Sequence, residues 1–195
     1  MMEPAHLHFK VYKPFEMLSQ LHSNDAKESR NKHFLSELFI FPYGSMPVGR
    51  LDEKSEGLLL LTTDGKLSDL INRSGVEKEY YVQLDGEITN KAIELLQQGV
   101  EIGIHGQKYI TKTTIVRRLS TLPTLPEPDK KLRIGRHRPT SWISIIITEG
   151  KFRQIRKMTA AVGFPTVRLI RIRIGDINLK GLTPGSVSPI NDLSF

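Results

Sequence analysis

The chain has 195 residues, with 28 Lys and Arg against 21 Asp and Glu, a formal charge of +7 and no Cys. That length suits one globular unit or two small subdomains with a real core, and zero Cys excludes disulfides, Cys-ligated zinc, iron–sulfur clusters and thiol nucleophiles. No apolar run approaches the ~20 residues of a membrane span, and the first thirty residues lack a signal or presequence pattern, so a cytoplasmic protein without membrane contact is expected. The charge is unevenly placed. Residues 130–180 hold thirteen basic side chains against two acidic ones, Glu149 and Asp176, whereas the remainder is mildly acidic. Such asymmetry points to a polyanionic partner.

In chain order, His8 to Tyr12 alternates as a short strand that should stop at Lys13-Pro14, because proline offers no ladder donor. Residues 19–33 are too hydrophilic for core, and Phe34, Leu35, Leu38, Phe39, Ile40 and Phe41 then crowd into an apolar patch with a turn of helix before Pro42-Tyr43-Gly44. Gly49-Arg50-Leu51-Asp52 leads through Glu53-Lys54-Ser55-Glu56-Gly57 into Leu58 to Thr62, a polar loop feeding a strand buried on both faces. Asp64-Gly65 is a turn signal, Lys66 to Asn72 a helix burying Leu67, Leu70 and Ile71, and Tyr80 to Leu84 the next strand, turned by Asp85-Gly86.

Thr89 caps a helix from Asn90 to Gln98 that buries Ile93, Leu95 and Leu96 and stops at Gly99. Strands are expected near Lys108 to Thr111 and Thr113 to Leu119. The stretch from Ser120 to Thr140, with four prolines and many basic residues, reads as a mobile loop. Trp142 to Thr148 should be a central strand. A helix after Glu149-Gly150 places Ile155, Met158, Thr159 and Val162 on one face and Arg153, Arg156 and Lys157 on the other. Gly163 and Pro165 end it. Val167 to Ile174 then alternates apolar residues with Arg168, Arg171 and Arg173, a strand with a cationic edge.

There is no metalloprotease, P-loop or dinucleotide motif, the six His are scattered without ligand spacing, and no Ser has an elbow context, so neither a metal nor a cofactor is expected. Carboxylates remain. Asp52 stands between Arg50 and a loop entering a buried strand, where a scaffold presents side chains to a cleft. A turn residue or a salt bridge to Arg50 is the alternative reading of Asp52.

Gly49-Arg50-Leu51-Asp52, Ser55, Gly57 to Thr62 and Asp64-Gly65 resemble the signature of the RsuA-type rRNA pseudouridine synthases. Lys13-Pro14, Lys78-Glu79-Tyr80-Tyr81-Val82, and Glu149 to Met158 with Leu169-Ile170-Arg171 resemble three further motifs of that family. Within it, Arg138 to Trp142 and Val162 to Arg171 look most like the large-subunit rRNA branch of type E. The resemblance implies an α+β fold: a mixed, largely antiparallel sheet with few helices, and two subdomains flanking a basic cleft. It also implies one catalytic domain over 1–195 without the small S4 RNA-binding domain that many relatives carry first, the 120–140 loop being a candidate for extra grip on RNA.

It further implies that uracil is detached from ribose at N1, turned and rejoined through C5, without metal, cofactor or energy source. A carboxylate suits this, since it can add to a carbon or stabilise cationic character, and Asp52 is its match. Arg156 matches the guanidinium that keeps that acid ionised in a shielded pocket, where such a neighbour lowers a carboxylate pKa by ~1 to 3 units. On charge spacing alone, Arg156 reads as a solvated helix face. Tyr80 is expected to stack on the uracil and handle the C5 proton, its plain alternative being a strand tyrosine. Leu169 packs beneath the base or is simply core. Arg50 matches the side chain that fills the space of a flipped nucleotide. Lys151, Arg153, Lys157, Arg168, Arg171 and Arg173 are expected on phosphates. The partner is then large-subunit rRNA and the chain a monomer. The rivals are a non-catalytic rRNA-binding assembly factor and a nucleoside hydrolase cutting the same bond.

Overall fold

The strongest apolar run becomes the heart of one of two compact units. The computed structural model describes residues 6–121, 124–135 and 138–193, and the chain divides into Met1–Val76 with Ile174–Phe195, and Glu77–Arg173. In chain order the elements are β1 (His8–Lys13), α1 (Ala26–Asn31), a 3-10 turn (Leu35–Glu37), β2 (Met46–Val48), β3 (Glu56–Thr62), α2 (Gly65–Arg73), β4 (Lys78–Asp85) and α3 (Asn90–Gln98). There follow β5 (Glu101–Ile104), β6 (Gln107–Ile110), β7 (Ile115–Arg118), β8 (Thr140–Ile147), α4 (Gln154–Ala161), β9 (Thr166–Ile174), β10 (Ile177–Asn178) and β11 (Val187–Ile190). The class is α+β with largely antiparallel pairing and few helices, as expected.

In the first unit β3 pairs antiparallel with β1, from His8 opposite Thr62 to Lys13 opposite Gly57, and with β2; β11 continues from β1. All seven residues of β3 are buried. Because successive side chains alternate, Leu59 and Leu61 pack with Phe9, Val11, Met17 and Leu35, while Leu58 and Leu60 pack with Val48, Ile71, Ile174 and Leu193. Each buried leucine contributes about 1.5–3 kcal/mol, so a charge at any of the four would open one of these cores.

Asp64 accepts from the backbone N–H of Lys66 and Leu67 at 2.9 and 3.0 Å, so the turn signal is also the N-cap of α2. That helix sinks Ile71 and Ser68. Leu70 is 63% exposed, against expectation, because the narrow inward stripe runs through Leu67, Ser68 and Ile71. The hydrophilic stretch 19–33 holds a short helix. Asp25 caps α1, which has no buried residue and so adds a local element without adding core. The apolar patch splits likewise: Leu35 enters the core and Phe39 and Phe41 join a ring cluster with Phe9, but Ile40 and Tyr43 face solvent.

In the second unit the strand order is β9-β4-β8-β7. The β4–β8 pairing sets Tyr80 opposite Ile145 and Val82 opposite Ile143. One face is apolar, through Tyr80, Val82, Leu84, Ile143, Ile145 and Ile147, all buried. The other carries Glu79, which accepts from Ser144 at 2.7 Å and from Arg173 at 3.0 Å. Thr89 caps α3 as expected. Leu96 and Ala92 form its buried stripe; Ile93 is only half-buried and Leu95 lies exposed on the flank. At Gly99 φ is +98° and a Cβ would sit 2.3 Å from the Thr111 carbonyl oxygen, so only glycine ends the helix here. The β5–β6 hairpin follows; β2 and β5, each four residues or fewer, gave no sequence signal. Between Ser120 and Thr140, the described residues 124–135 form no helix or strand, and Leu122, Pro123, Arg136 and His137 lie outside the described residues.

Candidate active site

Asp52 is the fourth residue of an irregular link, residues 49–55, between β2 and β3, and the surrounding bonds show why that link has one shape. Gly49 precedes it at φ +68°, where a Cβ would also press on the Asn72 side chain at 3.0 Å. Leu51 is buried, its N–H donates to Ser19 Oγ at 2.9 Å, and that hydroxyl donates back to the Leu51 carbonyl at 2.8 Å. After Asp52, the chain turns as the Ser55 N–H donates to the Asp52 carbonyl at 3.0 Å. Lys13, wholly buried, then donates to three carbonyls, those of Pro14, Met17 and Glu53. The Glu53 carboxylate is held outside by Lys32 at 2.8 Å. Residues on both sides of Asp52 are therefore fixed by buried polar contacts, which keep a single geometry because breaking one leaves backbone groups unsatisfied. Asp52 itself is half-buried, and Arg50 is exposed.

The other expected site residues lie in the second unit. Tyr80 is buried on β4, and Leu169 and Arg171 are buried on the adjacent strand β9. Lys78, which shares the strand face of Tyr80, has its pKa lowered by burial first and by the charge of Arg171 second. Lys78 and Tyr80 share one face of β4, and β9, which carries Leu169 and Arg171, is the neighbouring strand. Arg156 is half-buried on α4, with Nη1 3.4 Å from the Thr166 carbonyl at the start of β9, and Thr159 and Thr166 share a hydroxyl bond of 2.8 Å beside it. The face expected to be solvated is thus partly packed on the sheet.

Three expectations change. Arg153 is not on the helix with Arg156 and Lys157: it is the residue before α4, at φ +51°, because Lys151 and Gln154 close a turn through Gln154 N to Lys151 O at 3.1 Å and Lys151 N to Gln154 Oε1 at 3.0 Å. Arg168 and Arg171 are not an exposed edge. Arg168 is covered by the loop, donating to the Pro126 carbonyl at 2.9 Å above a hollow lined by Gln83, Trp142, Leu125 and Pro128, and Arg171 is 2% exposed. Arg173 is spent on Glu79 and Glu77, whose hydrogen bonds hold its pKa above the ordinary value. A period-two pattern locates the arginines but not the loop and acids that meet them.

The sequence offered no sign of the Ser19 latch, since a lone serine in a polar stretch has no pattern, nor of the network around Glu149. That carboxylate accepts from Tyr109 at 2.5 Å, from the Lys112 N–H at 3.0 Å and from Gln154 Nε2 at 2.6 Å. The hydrogen bond to Glu149, then burial and the carboxylate charge, push the Tyr109 phenol pKa up. Among the described residues no cluster of three or more His, Asp and Glu is arranged to hold a metal ion, and no helix is long and apolar enough to cross a membrane.

The chain as a whole is similar to known proteins. The sequence pattern of RNA pseudouridylate synthases matches residues 8–161. The chain is 40% identical over 175 residues to ribosomal large subunit pseudouridine synthase E of Xanthomonas campestris pv. campestris, covering 89% of both chains. It is 36% identical over 176 residues to the protein of that name from Vibrio parahaemolyticus, covering 89% of this chain and 69% of that one. A crystal structure of a pseudouridylate synthase aligns with a TM-score of 0.73 and 26% identity over 97% of this chain and 72% of that chain. A match that runs from β1 to the last residue of α4, and so includes both the Asp52 loop and the Arg156 helix, is no local coincidence: the chain belongs to the RNA pseudouridylate synthases, a family of isomerases.

Proposed function

We propose that the protein is a cytoplasmic, monomeric enzyme that converts a specific uridine of large-subunit rRNA to pseudouridine, with Asp52 as the nucleophile. The observation that carries this reading is the doubly clamped Asp52 loop, fixed by Ser19 at Leu51 and by Lys13 at Glu53. A carboxylate so restrained suits attack on a carbon whose position must be reproduced to within a fraction of an ångström. The names of the two relatives supply the substrate class.

In this reading the N1–C1′ bond of the target uridine breaks, Asp52 holds the electron-poor fragment, and uracil turns so that C5 bonds to C1′. The proton lost from C5 is balanced by one gained at N1, so composition and mass are unchanged. Arg156 supplies positive charge to the reaction. Tyr80 offers an aromatic face to the base and a hydroxyl for the C5 proton, with Leu169 beneath. Extruding the nucleotide costs a few kcal/mol, and Arg50, exposed next to the acid, fills the vacated stack. Arg153 and Lys157 contact phosphates, whereas Arg171, being buried, sets the positive field around Tyr80.

The test is Asp52→Asn with pseudouridines mapped in large-subunit rRNA. The variant should form none while binding the RNA within about twofold of the parent. Pseudouridine formed at the parent rate by the variant would remove Asp52 from the chemistry. A parent protein that binds rRNA but leaves every uridine unchanged would be an assembly factor, and release of free uracil would mark a hydrolase.

A further inference from the structure

The β5–β6 hairpin is fastened to α4 and to the loop before it. Lys157 Nζ donates to the Gly103 carbonyl at 2.7 Å, and Tyr109 reaches from β6 to Glu149. Glu149 also takes up Gln154 and the Lys112 N–H, so its negative charge is consumed within the seam rather than displayed. At the tip of the hairpin His105 is exposed, with φ +47°. Its ring lies nearly parallel to that of Phe152, at 24° and 6.1 Å between centroids.

Phe152 is 58% exposed. A phenylalanine with more than half its surface open, in a loop otherwise built of Lys151, Arg153 and buried Gln154, adds little to the core and is costly to leave in water. Cations flank it. Lys157 Nζ is 5.0 Å from the Phe152 centroid, and Lys151 Nζ is 4.9 Å from the Tyr109 centroid. Aromatic faces beside ammonium groups are what an unpaired nucleotide requires, since every base has a π-face to stack and a phosphate to neutralise. An acidic protein segment would use the cations but has no need of two parallel rings.

We propose that the His105–Phe152 ring pair, with Lys151 and Lys157, is a stacking subsite for an unpaired RNA nucleotide other than the uridine being isomerised. The inference rests on the reading of the protein as an RNA-modifying enzyme. Tyr80 is buried, whereas this pair is exposed in the same unit, so the two rings address a second base. The subsite orders single-stranded RNA beside the target and lowers the RNA concentration needed, without entering the chemistry.

The experiment measures binding of a fluorescently labelled ten-nucleotide oligouridylate by anisotropy across a salt series. Phe152→Ala, Phe152→Leu, Phe152→Trp and His105→Ala are compared with the parent, with melting temperature as a check on folding. Stacking predicts that Phe152→Ala and Phe152→Leu each weaken binding by roughly tenfold with the salt slope unchanged, that His105→Ala weakens it less, and that Phe152→Trp binds at least as tightly as the parent. Parent-like binding by Phe152→Leu would show that only apolar bulk matters and would overturn the proposal, as would a loss confined to the salt slope. Pseudouridine formation in rRNA by the parent is assayed alongside. If it proceeds and the Phe152 variants bind normally, the subsite alone is refuted; if the parent forms none, the enzymatic reading itself fails.

Discussion

At the residue scale, Arg156 shows how one side chain separates a surface reading from a catalytic one. Charge spacing gives a solvated face, but the guanidinium is half-buried against Thr166 at the start of β9. Its hydrogen bond to the Thr166 carbonyl, at 3.4 Å, is long and worth little to stability. Arg156→Ala should therefore lower kcat by at least about 100-fold, the loss expected when a preorganised charge is removed from a reacting centre. Steady-state turnover and a thermal melt check this together, with the melting point expected to move by no more than a few degrees. Unaltered turnover would return Arg156 to the helix surface.

At the scale of the element, the loop carrying Asp52 and the end of α3 make opposite kinds of prediction. Ser19 is paired with both backbone groups of Leu51, and all are buried. Ser19→Ala leaves a backbone donor and acceptor without partners, at a cost of about 1–3 kcal/mol. Urea unfolding should show that loss, and kcat should fall with RNA affinity unchanged, because the freed segment is the one that aims Asp52. A stability loss with kcat intact would make the latch purely structural. Gly99 concerns stability alone. Gly99→Ala forces a side chain to φ +98° and onto the Thr111 carbonyl, and strain of this kind costs more than the ~0.4–1 kcal/mol that Gly-to-Ala changes gain elsewhere. The unfolding midpoint should drop clearly, with kcat of the folded fraction unchanged.

At the scale of the whole molecule, the formal charge overstates what RNA meets. Thirteen basic side chains fall between residues 130 and 180, yet Arg168 and Arg171 are buried and Arg173 is paired with Glu77 and Glu79. Of the six cations expected on phosphates, Lys151, Arg153 and Lys157 remain at the surface or half-exposed. Three contacts at −0.7 to −0.9 each give a slope of log affinity against log salt of about −2 to −3, in place of about −4 to −5 for six. Titration of rRNA binding between 50 and 300 mM salt (roughly the range where such slopes are linear) distinguishes the two. A slope near −5 would mean that the buried arginines turn outward on binding.

Much of this protein was legible along the chain. Four leucines in a row between two turn signals specify a strand buried on both faces, because no half-solvated strand tolerates that pattern, and β3 is that strand. The spacing of Asp64, Thr89 and Gly99 around apolar periodicity placed α2 and α3 to within a residue. The family was legible because the motifs that carry the resemblance, around Asp52, Tyr80 and Arg156, are each a contiguous run in sequence. What only the tertiary structure decided depends on partners distant in the chain. Ser19 meets Leu51 across 32 residues, Arg173 meets Glu79 across 94, and Tyr109 meets Glu149 across 40. Local pattern fixes which face a side chain takes; the elements that pack on that face determine whether a charge there is offered to RNA or neutralised within the fold.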